Sequence, residues 1–255
     1  MRIWSISNYL HELMLNIKNS KPKVSPVRKY LNKFLASRGY EISKIGRTIF
    51  FLEKLVKKQG EISFIQVGAN DGISFDNIYP FFKSHKCKGI CIEPLPYFFD
   101  RLKINYADSP SIVPLNIALH PTEEKFTIYS VNPKELYKYP HWASGIASFN
   151  KEHLIKCSVK EGDLVTEVVA CKPLSKLIVE HRMFDLDYLQ IDTEGFDDEI
   201  IKMIDFSQVK PKLIKFESVH LSSEKKLSAV NLLKSQGYKI IDERTDMVAF
   251  LERFF

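Results

Sequence analysis

Between residues 62 and 72 the chain reads Ile-Ser-Phe-Ile-Gln-Val-Gly-Ala-Asn-Asp-Gly, an apolar run that breaks into a turn bracketed by Gly68 and Gly72. A run of this kind, bounded by turn residues, reads as a buried strand of a parallel sheet covered on both faces. Small residues at the end of such a strand let a ligand come against the backbone. Helix signals follow the turn, so a helix is expected over residues 74–84 with the free N–H groups of its start aimed at that ligand. An opening of this type commits the rest of the chain to alternating strands and helices.

That alternation is present. Strand patterns recur at residues 88–93, 111–116, 125–131, 164–170, 187–192 and 212–217, and helical patterns at 96–106, 174–181, 197–204 and 224–235. Residues 132–156 form a long irregular stretch. The last two strands, 237–243 and 247–252, are separated only by Arg244-Thr-Asp. Three residues cannot carry a helical crossover, so the pair must be an antiparallel hairpin. The expected fold is α/β and Rossmann-like, a mostly parallel sheet closed by a C-terminal hairpin and preceded by N-terminal helices.

Before residue 60 the periodicity changes. Ile3, Ile6, Leu10, Leu13, Met14 and Ile17 make an apolar stripe at helical spacing, residues 19–26 read as a linker with two prolines, and helices are expected at 27–38 and 45–58. Thirteen Lys and Arg stand against three Glu in this segment, a surplus of +10 in a chain of net charge +6. Residues 1–59 are therefore read as a basic helical extension and 60–255 as the ligand-binding domain. The basic face is either solvated or a contact for anionic lipid, glycan or nucleic acid. Residues 1–25 suit peripheral contact with a membrane surface; no nucleic-acid partner is expected, and a homo-oligomer is compatible with the extension. The opening residues lack the pattern of a secretory signal, so the expected compartment is the cytoplasm, including the inner face of its membrane. Cys87, Cys91, Cys157 and Cys171 show no CxxC pair and no accompanying His at zinc-site spacing, so they are read as reduced thiols and no metal site is assigned.

A nicotinamide dinucleotide, a nucleotide and S-adenosylmethionine are the ligands to decide between. The G-x-G-x-x-G fingerprint is absent, which weakens the dinucleotide reading. Glu93, closing the second strand, can accept from both hydroxyls of a ribose and suits either adenosine cofactor. The terminal hairpin favours the third, because an open parallel sheet finished by one antiparallel strand is the plan of class I methyltransferases.

Phe64-Ile-Gln-Val-Gly-Ala-Asn-Asp-Gly72, Glu93-Pro94, Asn116-Ile-Ala118 and Tyr188-Leu-Gln-Ile-Asp-Thr-Glu-Gly-Phe-Asp197 together resemble the FkbM family of S-adenosylmethionine-dependent methyltransferases. The resemblance spans residues 60–255. It implies a seven-stranded class I methyltransferase sheet and transfer of a methyl group from S-adenosylmethionine to a hydroxyl oxygen, of a sugar in a glycan or glycan precursor. Two departures stand out: Gln66 and Asp197 occupy positions where the family commonly has Asp and Glu.

The resemblance implies cofactor contacts for Gln66, Gly68, Ala69, Asn70, Asp71, Gly72, Glu93, Pro94, Asn116, Ala118 and Asp192. Methyl transfer also needs a group that removes the acceptor's proton. Asp192 and Glu194, leaving the end of a central strand, can act as acid and base, hold a divalent metal or orient a sulfonium; the alternative is that they cap the following helix. His220, at the end of the next strand, is the best-placed base near neutral pH. Trp142, His141 and Ser144 in the long loop are the expected acceptor contacts, flat aromatic faces being suited to sugar rings. Two other readings stay open: methylation of an oxygen or nitrogen in a secondary metabolite, and a non-catalytic binding module anchored by its basic helices.

Overall fold

Every residue of β1 (Ile62–Val67) is buried, as its unbroken apolar run requires. It pairs in parallel with β2 (Cys87–Ile92) on one side and β8 (Tyr188–Ile191) on the other. The computed structural model describes residues 46–255. The helices expected at 3–17 and 27–38, the linker between them and the membrane-contact segment 1–25 lie outside the described residues.

Beyond β2 comes β3 (Ile112–Leu115), and beyond β8 comes β9 (Leu213–Glu217), both parallel to their neighbours. β11 (Asp246–Phe250) then inserts antiparallel between β9 and β10 (Lys239–Asp242). The sheet order is β3-β2-β1-β8-β9-β11-β10. This is the class I methyltransferase order, with the single reversed strand that the three-residue Arg244 turn dictated.

Helices cover both faces. On one face α1 (Arg47–Gln59), α2 (Tyr79–Ser84) and α3 (Pro96–Asn105) share a core with Phe64, Tyr188, Leu213 and Val248. Leu52 and Leu55 of α1 are wholly buried there, worth about 2–3 kcal/mol each. α1 was read as the end of the basic extension, yet it packs in the same unit as the sheet, which begins at Gly46. The other face carries α5 (Leu174–Glu180), α6 (Asp197–Lys202) and α7 (Ser223–Ser235) over Ile65, Val67, Leu189 and Ile214. No helix among the described residues is long and apolar enough to cross a membrane.

Two features depart from the sequence reading. The helix expected over 74–84 begins only at Tyr79, because Asp71 takes the amides of Ile73 and Ser74, and Asp76 takes that of Ile78. These local side-chain bonds offer the backbone a turn in place of a helix. The second concerns the region after β3, where β5 (Lys125–Val131) and β7 (Leu164–Lys172), expected as strands with no partner assigned, pair with each other along seven residues outside the seven-stranded sheet. With β4 (Ala118–Leu119) and β6 (Ala147–Ser148) they form a separate four-stranded sheet in the order β4-β7-β5-β6. α4 (Lys151–Lys156) follows β6, so the stretch 132–156 is shorter in irregular backbone than expected.

The ends of β1 and β8 approach so closely that a Cβ on Gly68, whose φ is +77°, would lie 1.8 Å from the carbonyl oxygen of Asp192. Gly68→Ala is expected to lower the free energy of unfolding by about 3 kcal/mol or more, read from the urea midpoint. Gly162→Ala, where a Cβ meets nothing within 4 Å, should stay within about 0.5 kcal/mol of the parent. Equal midpoints for the two variants would remove this contact from the account.

Candidate functional site

A cavity of about 510 Å³ opens at the carboxyl ends of β1, β2, β8 and β9, walled on its far side by the second sheet. Ligands of open α/β sheets collect at that edge. Of the residues named from sequence, Gln66, Gly68, Ala69, Asn70, Glu93, Pro94, Ala118, Trp142, Asp192, Glu194 and His220 line it.

Five others are placed elsewhere. Asp71 faces its own turn, accepting from Ile73, Ser74 and the Ser74 hydroxyl; burial works against its charge, but these bonds hold its carboxyl below the usual range. Gly72 faces Leu102 and Tyr106. Asn116 donates from Nδ2 to the carbonyls of Glu93 and Pro94 and so braces the loop from behind. The ring of His141 lies against Phe75, 5.1 Å between centroids, and Ser144 Oγ donates to the His141 carbonyl. Of the five, Asn116 reaches the cavity through Glu93 and Pro94, Asp71 through Ser74 and His141 through Phe75.

The loop after β1 also differs from expectation in its polarity. The amides of Gly68 and Ala69 donate to the Ile92 carbonyl, that of Asn70 to Glu93 Oε2, that of Asp71 to Asn70 Oδ1 and that of Gly72 to the Ala69 carbonyl. With Ile73 and Ser74 bonded to Asp71, no N–H from 68 to 74 is free. A phosphate needs such groups. What this loop leaves available is carboxylate and carbonyl oxygen, the partners of a cation and of hydroxyl donors.

Glu93 is buried, and each of its oxygens accepts one amide, from Asn70 at 2.8 Å and Leu95 at 2.9 Å. A carboxylate oxygen has a second lone pair, so both retain capacity to accept. Burial raises its pKa to about 7, against the pull of the two amides. Beside it the wall is apolar: Leu95, Phe98, Ala118, Leu119 and Ile128. Gln66 donates to Asp76 Oδ2 at 2.9 Å, and both line the cavity. Asp76, which sequence reasoning passed over, thus supplies a carboxylate next to the position where Gln66 replaces one. Burial raises its pKa, opposed by the Ile78 amide and Gln66.

Carboxyl groups crowd the ends of β8 and β9. Asp192 opens onto the cavity yet is enclosed by protein on its other sides; desolvation, then the charges of Asp197 and Glu194, push its pKa to about 8. Desolvation and then Asp192, Glu194 and Asp197 raise Glu217 to about 10, and its Oε2 has no partner. Asp197, raised to about 7 mainly by burial, binds the Thr193 hydroxyl at 2.9 Å and the Glu217 amide at 3.1 Å, tying the two strand ends together. The departure from Glu at this position therefore still supplies a carboxylate, in a bracing role.

Glu194 sits at φ +53°, ahead of Gly195 at φ +96°. This left-handed step throws its side chain toward two imidazoles: Oε2 lies 3.0 Å from His153 Nε2 and 3.5 Å from His220 Nε2. Its carbonyl accepts from Ser148 Oγ at 3.0 Å, joining the second sheet to the turn. Desolvation lowers the His220 pKa, Glu194 raising it and His153 lowering it further, so the ring is neutral near pH 7. At the rim stand Trp142 and Phe75, 44% and 54% exposed, the latter at φ +62°, a strained value for an aromatic residue. Sequence reasoning missed His153, Glu217 and Phe75 along with Asp76. Only His153 left a signal, its spacing of four from Cys157 on one helix.

The family profile described as the methyltransferase FkbM domain matches residues 66–240. No curated protein matches the chain. Among solved structures, the methyltransferase FkbM from Methylobacillus flagellatus KT is 15% identical with a TM-score of 0.47; the match covers 75% of this chain and 44% of that one. This chain thus spans less than half the length of that protein. The precorrin-6y C5,15-methyltransferase from Geobacter metallireducens GS-15 is 12% identical with a TM-score of 0.38, over 84% of this chain and 94% of that one.

The raised carboxyl groups make a pH prediction. A carboxyl whose pKa is higher folded than unfolded contributes stability that is full below its unfolded value and lost as pH climbs through the folded one. Asp192, Asp197 and Glu217 therefore predict a melting temperature that falls between about pH 5 and about pH 9. Asp192→Asn, which removes one member and its repulsion, should flatten that fall; a slope as steep as the parent's would rule out the cluster as its source.

Proposed function

The chain belongs to the FkbM methyltransferase family, and from that premise we propose that it transfers a methyl group from S-adenosylmethionine to a hydroxyl oxygen of a sugar, in a glycan or glycan precursor. The observation that carries the reading is the division of the cavity into two halves of different chemistry. One half offers acceptors and apolar walls without a free amide; the other offers a neutral imidazole held by a carboxylate.

The first half fits the donor. A sulfonium and an ammonium call for carboxylates and carbonyls, whereas a pyrophosphate would find no N–H between residues 68 and 74. The remaining lone pairs of Glu93 suit the two ribose hydroxyls, the wall of Leu95, Phe98 and Ala118 suits the adenine, and Asp76 with Asp192 suits the amino group. Gly68 and Ala69 leave room for the methionine part against the backbone. When bound, the donor supplies an electrophilic methyl carbon with a neutral thioether as leaving group.

The second half fits the acceptor. His220, neutral because burial disfavours its cation, has a lone pair for the hydroxyl proton. Glu194, 3.5 Å from Nε2, stabilises the imidazolium that forms and fixes the ring. Trp142 and Phe75 present flat faces at the rim, a surface suited to the C–H face of a pyranose. Lowering the pH protonates His220 and removes the base, so the rate should fall on the acid side.

Calorimetric titration with S-adenosylmethionine tests the donor half: the parent should bind one equivalent, and Glu93→Gln should bind about 10- to 100-fold more weakly. A parent that does not bind refutes the reading. For the acceptor half, labelled donor is offered to glycan and lipid-linked sugar fractions and to small hydroxylated metabolites. His220→Ala should keep its affinity for the donor and lose about 10²- to 10⁴-fold in turnover. Unchanged turnover would take His220 out of the chemistry, and labelling confined to the metabolite fraction would displace the sugar.

A further inference from the structure

None of the cysteines lies in a CxxC pair, but the fold gives one of them histidines. His153 and Cys157 are four apart on α4 and its capping residue, so they share a face, with Cys157 Sγ 3.8 Å from His153 Nε2. From the end of β9, His220 meets His153 edge to face, ring centroids 4.6 Å apart at 78°. One donor atom from each of His153, Cys157 and His220 lies within 4.8 Å of those of the other two. Glu194 Oε2 faces both rings, at 3.0 Å and 3.5 Å.

From these atoms we infer that His153, Cys157 and His220 form a zinc site at the acceptor end of the cavity, with Glu194 as the fourth donor. Tetrahedral zinc with bonds of about 2.0–2.1 Å to nitrogen and about 2.3 Å to sulfur sets neighbouring donors about 3.3–3.6 Å apart. Three of the pairs stand near that spacing, His153–Glu194 at 3.0 Å, His220–Glu194 at 3.5 Å and His153–Cys157 at 3.8 Å, and the ion would draw Cys157 and Glu194 together. The donor chemistry selects the ion: a thiolate and two imidazoles are soft to intermediate ligands, which favour zinc and disfavour magnesium or calcium. Charge agrees with this choice, since the two positive charges of zinc balance one thiolate and one carboxylate in a space where Asp192 and Glu217 are also crowded.

Loading requires the Cys157 thiol and the two imidazoles to present lone pairs, and the thiol proton leaves to solvent. A zinc ion on His220 takes the lone pair that would receive a hydroxyl proton. The loaded chain and a chain using His220 as a base are therefore alternative states of one site. Metal content is measured without donor or acceptor, so this inference does not rest on the methyl-transfer reading.

A second group, Glu194, Glu217 and His220, also clusters within 4.8 Å; it shares two members with the zinc site but lacks the thiol, and the test separates them. Full-length protein is stripped with a chelator, dialysed against zinc or cobalt(II), and assayed for metal per chain by elemental mass spectrometry and for the cobalt spectrum by absorption. The parent should take up one zinc per chain and show a thiolate-to-cobalt charge-transfer band. Cys157→Ser should abolish that band and weaken zinc binding at least about tenfold, while His181→Ala, remote from the cluster, leaves both intact. Substoichiometric zinc or a missing band in the parent, which needs no variant to fold, overturns the inference. So does zinc retained by Cys157→Ser and lost by Glu217→Gln, which places the ion on the carboxylates.

Discussion

The molecule turns on the contact between the ends of β1 and β8, where the backbone of Gly68 meets the carbonyl of Asp192 with no room for a side chain. Parallel strands at the centre of a sheet diverge into separate loops, and this approach, with the Asp192 amide donating to the Val67 carbonyl, keeps the two loops side by side. The donor-facing turn and the carboxyl-bearing turn are consequently one surface. Glu93 adds the third strand end by taking the Asn70 amide, and Asp197 adds the fourth by taking that of Glu217. Four strands thus deliver their polar ends to a common volume through bonds whose partners are far apart in sequence.

Bringing Asp192, Asp197 and Glu217 together works against stability, because burial and mutual repulsion favour their protonated forms. An apolar replacement would pack at lower cost. Such concentrations of unfavourable charge persist where a cation is to be held, here the donor's ammonium beside Asp192 or a zinc ion on Glu194. The neutral imidazole of His220 belongs to the same electrostatic arrangement, since desolvation that raises the carboxyls lowers the histidine.

The central strands, the closing hairpin and the cavity edge were legible in the sequence because each follows from a local pattern: an unbroken apolar run, a three-residue turn, a glycine after a strand. Pairing was not. Residues 125–131 and 164–170 read as strands, but nothing in them says that they prefer each other to the main sheet, a choice made by the registry of two distant segments. The helix expected from residue 74 failed because the side chains of Asp71 and Asp76 compete for amides within a few residues, a contest that periodicity does not see. Asp76 and Glu217 were missed for a related reason: a single acid at a turn or strand end has no signature until the fold surrounds it. Gln66 looked like a lost charge and is a ligand of Asp76.

The chain from β4 to β7 forms the second sheet and its connections, and that one segment builds the far wall of the cavity, including Trp142, Ser148 and the helix that bears His153. The donor-facing half takes its turns from the other segments and shares only part of its apolar wall, Ala118, Leu119 and Ile128, with this one. This segment is tied to the turn after β8 by two hydrogen bonds, from Ser148 Oγ to the Glu194 carbonyl and between His153 Nε2 and the Glu194 carboxylate. Replacements at the rim of that segment can therefore alter which molecule is received while the turns after β1 and β2, which face the donor, keep their own bonds.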